Sequence, residues 1–474
     1  MTSLVGRNGA AQPVSGPHTS GSTVPEVVAR LRATFATDRT RALSWRRRQL
    51  DALDRLLTTH EREIVEALDA DLGRTAFEAW LADIASIRAE IRFARSRLGR
   101  WAKDRRTGLP KATLPAWGRI RREPLGVVLV IGAWNYPFYL TLGPLVGAVA
   151  AGNAVVLKPS EHAPASSALM ARLVGEYLDT SAITVVEGAV DETQALLAQG
   201  LDHVLYTGSA AVGAKILEAA APTLTPVTLE LGGKCPVVVT ADADLEVAAR
   251  RIVWAKLTNA GQTCITPDYV LVEAGVKDEL VRRLVETVEE FRKDAPAAQR
   301  IVNRRQYDRL AGLLDSHGGT VAYGGSVDEA AVAVQPTIIV DPDITSPLMA
   351  DEIFGPILPV LAVDSLDDAI GFVRARPKPL AAYLFSGSGA EHKRFVDKVS
   401  AGGVVINHIG LHCLSPQVPF GGVGHSGTGA YHGRWGFETF SHRKPVVRTY
   451  TRPDPPFLYP PMTSLKNAVL RRMM

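Results

Sequence analysis

The sequence predicts an α/β fold of doubly wound, mostly parallel sheets, and three observations point that way. Short, uniformly apolar runs, of which Val127-Val128-Leu129-Val130-Ile131 is the plainest, have the texture of strands buried on both faces. From residue 125 onward such runs alternate with helix-length segments through short connections, as in a parallel sheet covered by helices. The 474 residues exceed one ordinary core and imply two or three domains.

Before residue 125 the pattern is helical. Residues 25–58 and 60–72 read as amphipathic helices broken near Thr58-Thr59. Leu81, Ile84, Ile87, Ile91, Leu98 and Trp101 then recur at helical spacing, with Arg and Glu between them. The polar stretch that follows, with Pro110, Pro115 and Gly118, predicts an extended arm or hairpin. The alternating region gives strand Val127–Ile131, a turn over 132–137, helix 140–151 closed by Gly152-Asn153, and strand 154–157. Helix 165–178, strand 183–187, helix 191–199, strand 203–206, helix 212–220 and strand 227–229 continue it. A second α/β segment covers about 235–407, with strand Pro236–Val239 and helices Leu245–Leu257 and Lys277–Phe291. Residues 419–436 are glycine-dense and predict a long structured loop, 452–461 a proline-rich extended tail, and 462–474 one short basic helix.

Composition excludes several classes. Hydrophobic residues at 46% and charged residues at 22% describe a soluble globular protein, not a disordered or fibrous one. The net charge of +4 is spread along the chain, apart from Arg46-Arg47-Arg48 and Arg105-Arg106, which fits a solvated surface better than a nucleic-acid-binding face. Three cysteines, Cys235, Cys264 and Cys413, argue against a disulfide framework and for a reducing, cytoplasmic setting. No Cys/His spacing matches a zinc site, so no metal is expected. Residues 1–23 lack the apolar core of a signal sequence and read as a disordered extension, and no apolar run is long enough to span a bilayer.

Five places carry residues suited to chemistry. Asn259-Ala260-Gly261-Gln262-Thr263-Cys264 sets one thiol in a small polar turn between a helix and a strand, where it is either buried filler or a nucleophile. Val227-Thr228-Leu229-Glu230 ends a buried strand on a carboxylate, which burial pushes toward the range of a general base. Asn135 lies on a strand-to-helix turn, where its amide can serve as an oxyanion donor or simply as ordinary turn chemistry. Gly208-Ser209-Ala210-Ala211-Val212-Gly213 follows a strand and opens a helix, a setting for phosphate that a plain glycine-capped turn explains equally well. Lys158-Pro159-Ser160-Glu161 follows another strand; its Lys and Glu suit a ribose, although a surface salt bridge is locally the simpler reading.

Taken together, these stretches resemble the aldehyde dehydrogenase family, and in detail its class 3 branch of fatty- and aromatic-aldehyde enzymes. The matching motifs include Trp134-Asn135-Tyr136-Pro137-Phe138, Lys158-Pro159-Ser160-Glu161, Tyr206-Thr207-Gly208-Ser209, Val227 to Lys234 and Gly261-Gln262-Thr263-Cys264. Glu352-Ile353-Phe354-Gly355-Pro356, Pro419 to Gly424 and Phe437 to His442 follow in family order. Tyr431-His432-Gly433 and Tyr459-Pro460-Pro461 point to class 3.

The resemblance implies two Rossmann-like domains, one cofactor-binding (24–104 and 125–231) and one catalytic (232–432). It adds a small β oligomerisation arm (105–124 and 433–451), a tail (452–474) and a homodimer. It implies that Cys264 is the nucleophile, Glu230 the general base and Asn135 an oxyanion donor. Gly208, Ser209 and Gly213 would lie near the pyrophosphate of NAD, with Lys158 and Glu161 near the adenine-side ribose. Glu352 would bind the nicotinamide-side ribose, and Phe354 and Trp134 would wall the nicotinamide. Glu161 favours NAD; Lys158 beside it leaves NADP open. Cys235 stands where relatives usually have Ser, Asp351 where many have Glu, and residues 408–417 are irregular, which leaves the choice of aldehyde open. The expected reaction is oxidation of an aldehyde to its acid through a thioester. A CoA-acylating dehydrogenase and a Cys/His hydrolase are the rival readings.

Overall fold

The five side chains of strand Val127–Ile131 alternate between two cores, as the period of a strand demands. Val128 and Val130 pack with Leu142, Leu145 and Val149 of helix Pro137–Ala151. Val127, Leu129 and Ile131 pack with Val28 and Leu31 of helix Val24–Ala36 and Ile216 of helix Ala210–Ala220. Each such side chain, fully buried, contributes roughly 1.5–3 kcal/mol. A charge at Leu129 would therefore undo both sheet and helix packing at once.

The computed structural model describes residues 23–473 apart from 111, 112, 114, 115, 297, 453 and 455–458. The extension expected over 1–23 lies outside them except for Thr23, as does much of the proline-rich tail. Two large sheets form the body, in line with the doubly wound α/β expectation. The first has six strands in the order Gly427–Thr428, Val227–Glu230, His203–Thr207, Val127–Ile131, Ala154–Lys158, Ile183–Val185. All its pairings are parallel except that of Gly427–Thr428. The second orders Thr320–Tyr323, Thr337–Val340, Ile357–Val363, Tyr269–Glu273, Pro236–Val239, Ala381–Phe385 and Gly403–Ile406, antiparallel only at its first strand. A separate antiparallel sheet joins Arg105–Thr107, Trp117–Pro124 and Ser441–Arg448. No helix among the described residues is long and apolar enough to cross a membrane.

The helical opening differs from its sequence pattern in two places. The helix expected over 25–58 is two, Val24–Ala36 and Leu43–Thr59, because Asp38 takes a left-handed φ of 61° and a short 3-10 turn, Arg39–Arg41, intervenes. The helix carrying Ile84 and Ile91 contains a π-turn at Trp80–Ala85 before Ser86–Trp101. A π-turn adds a residue to the helical repeat and rotates the faces on either side of it. Helix 140–151 begins earlier, at Pro137, where the fixed φ of proline suits a first turn.

Candidate active site

In a parallel sheet the strands end on one edge, and the residues just beyond them meet there. Ile131 pairs with both Lys158 and Tyr206, and Thr207 with Glu230, so the turns after these strands share that edge. Gly208 N donates to Glu230 O at 3.1 Å and ties two of them together. Ser209 caps helix Ala210–Ala220, its hydroxyl accepting from Val212 N at 3.4 Å.

Cys264 arrives from the other large sheet's side on an unusual turn. Asn259, Ala260 and Gly261 are all left-handed, with φ of 52°, 55° and 68°. Only glycine fits the third position, because a Cβ there would lie 2.3 Å from Gly355 O. Gln262 holds the turn closed: its Nε2 donates to Asn259 O at 3.1 Å and its Oε1 accepts from Val302 N at 3.0 Å. The Asn135 amide donates to Gln262 O at 3.1 Å, joining the turn after Val127–Ile131 to the turn of Cys264. One of its two amide hydrogens remains for another acceptor.

Glu230 is 1% exposed, and neither carboxyl oxygen has a hydrogen-bond partner. Burial pushes it up to about 8, with the Cys264 thiol acting in the opposite sense. The thiol itself is pushed well above its ordinary value, first by burial and then by the charge of Glu230. An unpaired buried carboxylate is costly unless it is used.

Two cavities meet at Cys264. Trp134, Asn135, Gly208, Ser209, Glu230, Cys264, Glu352 and Phe354 line one polar cleft of about 1650 Å³, its mouth included. The Trp134 and Phe354 rings meet edge-on with centroids 5.4 Å apart, Phe354 held at a left-handed φ of 46°. On the far side of Cys264 lies an apolar cavity of about 920 Å³ including its mouth, lined by Tyr136, Tyr139, Leu140, Trp254, Ile265, Ile409, Cys413, Leu414 and Phe420 among others. Among the described residues, no ionisable acid or base other than Cys and Tyr lines it.

Three residues singled out in the sequence lie outside the cleft lining. Lys158 is buried and bonds Glu161 at 3.0 Å beyond strand Ala154–Lys158, while Gly213 packs against Leu231. Sequence reading passed over Lys234, Arg309 and Lys378, cations that line the cleft. It also passed over Arg74 and Asp83, a buried pair 2.5 Å apart behind Asn135. Asp83 stands at helical spacing from Ile87 and Ile91, yet its partner Arg74 lies in a loop with no periodicity to place it.

The aldehyde dehydrogenase family model matches residues 13–446. The chain belongs to the aldehyde dehydrogenase family. It is 47% identical over 447 residues to an aldehyde dehydrogenase of Craterostigma plantagineum, covering 93% of each chain. It is 45% identical to the dimeric NADP-preferring aldehyde dehydrogenase of Rattus norvegicus, across 89% of this chain and 94% of that one. Among solved structures, the substrate-bound state of Staphylococcus aureus AldH superposes with a TM-score of 0.92 at 40% identity, covering 96% of this chain and all of that one. Betaine aldehyde dehydrogenase of the same organism, in complex with NAD+, gives 0.83 at 25% identity over 91% of this chain. The enzyme's relatives named as family 3 members, such as member A2 of Rattus norvegicus at 47% identity, agree with the class 3 resemblance.

Proposed function

We propose that this aldehyde dehydrogenase oxidises uncharged, apolar aldehydes to carboxylic acids through an acyl group held on Cys264, with hydrolysis assisted by Glu230. The observation that carries this reading is the position of Cys264 on the wall shared by the polar cleft and the apolar cavity. An aldehyde entering the apolar side presents its carbonyl carbon to Sγ. The Asn135 amide and the Cys264 backbone N–H then donate to the oxygen as charge develops on it. Glu230, deprotonated, takes a proton from water, which attacks the acyl carbon and releases the acid and the thiolate.

The cleft suits NAD or NADP. Glu352 Oε1 is buried without a partner, an acceptor placed for sugar hydroxyls, and a Cβ on Gly232 would stand 2.1 Å from Glu352 Oε2. The N-terminus of helix Ala210–Ala220, behind Gly208 and Ser209, favours phosphate. When bound, the nicotinamide supplies the two-electron oxidant that no side chain can. Lys158 and Glu161 are assigned to the adenine-side ribose. Glu161 accepts from a free 2′-hydroxyl, and its ion pair with Lys158 holds it below the usual carboxylate range after offsetting its desolvation.

The sheet of Arg105–Thr107, Trp117–Pro124 and Ser441–Arg448 is assigned to a homodimer, since its last strand is an edge eight residues long. Three free thiols suit the reducing cytoplasm. The deciding assay is NAD(P)H formation from octanal with and without CoA. Full turnover without CoA, lost in Cys264→Ala, is expected; strict CoA dependence, or activity surviving in Cys264→Ala, contradicts the proposal.

A further inference from the structure

Arg74 lies in the loop between helices Glu61–Leu72 and Ala76–Ala79, and its side chain is 2% exposed. Every nitrogen of its guanidinium is engaged. Nη1 donates to Asp83 Oδ2 at 2.5 Å, Nε to Asn259 Oδ1 at 3.1 Å, and Nη2 to Asn135 O. Its plane also lies 4.1 Å from the centroid of the Tyr136 ring, whose hydroxyl meets Thr263 Oγ1 at 2.7 Å. Asp83 in turn accepts from Tyr139 N at 2.8 Å, at the start of helix Pro137–Ala151.

A buried ion pair contributes little to stability by itself, because desolvation offsets the attraction between its charges. What distinguishes this one is where the other donors go. Asn135 and Asn259 stand on two turns, 124 residues apart in sequence, that this cluster bonds to each other. Asn259 Nδ2 donates both to Asn135 O and to Gln262 O, each at 3.1 Å, so the carbonyl of Asn135 receives two donors from one cluster. Those donors fix the Asn135 backbone, and the backbone fixes the side-chain amide relative to Cys264. Asp83, buried within the π-turn Trp80–Ala85, holds the far end of the guanidinium.

We propose that Arg74, held by Asp83, is a positioning residue for the oxyanion site: it clasps the Asn135 turn to the Cys264 turn and sets the reach of the Asn135 amide. The proposal rests on the reading of Asn135 as an oxyanion donor. A small displacement of such a donor is felt in the chemical step more than in binding, and about 1 Å can cost roughly 10²-fold. A lysine keeps the charge opposite Asp83 but presents a point donor, not a fork able to reach both turns.

The test is a steady-state set on the full chain, with octanal and saturating NAD(P): Arg74→Met, Asn135→Ala, the double variant, and Arg74→Lys. Asn135→Ala is expected to lose about 10²-fold or more in kcat. Arg74→Met is expected to lose about 10-fold or more in kcat with KM for octanal within about threefold, and the double variant to be no slower than Asn135→Ala. Losses that multiply in the double variant, a wild-type kcat in Arg74→Met, or an effect on KM alone overturns the proposal. If Arg74→Met does not fold, Arg74→Lys decides: a reduced kcat at unchanged Tm supports the clasp, and wild-type kcat overturns it. A wild-type kcat in Asn135→Ala overturns the oxyanion reading itself, and the proposal with it.

Discussion

Glu230 keeps a proton where an exposed glutamate would have released it. In the folded chain it titrates at about 8, raised by burial, whereas in the unfolded chain a glutamate titrates at about 4.3. Between these values the folded state binds more protons than the unfolded one, so this residue's contribution to stability falls as pH rises. Glu230→Gln removes the titration, so its Tm should match wild type near about pH 4 and exceed it by a growing margin toward about pH 8. A Tm difference that does not change with pH would mean the carboxyl is not perturbed. Turnover of the unaltered enzyme should rise through the same range, since in the proposed mechanism Glu230 and the Cys264 thiol both act deprotonated and both are shifted upward. A profile that falls between about pH 6 and 8 would contradict those roles.

At the scale of elements, the turn before Cys264 and the π-turn before Ser86 do the placing. Three consecutive left-handed residues bring the thiol to the mouth of two cavities, and the backbone of Gly355 fills the space a side chain at 261 would need. Gly261→Ala should therefore lower stability by about 1–3 kcal/mol and cut turnover, read as Tm and kcat together; a variant indistinguishable from wild type would show the turn to be adaptable. The first sheet was legible in the sequence because Val127–Ile131 is apolar on every residue and Ala154–Lys158 and His203–Thr207 are apolar at their centres. Arg74 and Asp83 were not legible. Asp83 falls on the apolar side of the helical repeat, but only the fold shows that Arg74, from the preceding loop, meets it there. The short strand Gly427–Thr428 was hidden for another reason: its sequence is loop-like, and only its pairing with Leu229 and Glu230 makes it a strand.

On the scale of the whole molecule, the two large sheets contribute to one site from opposite directions. The first supplies Asn135, the Gly208 turn and Glu230; Cys264 lies between helix Leu245–Leu257 and strand Tyr269–Glu273 of the second sheet's half. That Cys264, Glu230 and Asn135 line one cleft was legible only through motif order, since each motif alone also fits an ordinary turn. The size and lining of the apolar cavity were not reachable, because Leu81, Trp254 and Ile409 come from three distant segments. The antiparallel arm leaves Trp117 and Val447 exposed, by 41% and 61%. In the proposed homodimer, lysine at both positions should shift the mass to that of a monomer in size exclusion with light scattering; a mass that stays the same would place the interface elsewhere.

The central claim is that the substrate carbon is carried on Cys264 and released by Glu230. Glu230→Gln, mixed with octanal and NAD(P) and then digested, should give an acyl adduct on the peptide that contains Cys264, seen by mass spectrometry, while turnover is slowed by roughly 10²-fold or more. An unmodified Cys264 peptide from a variant that still turns over at the wild-type rate would contradict the account.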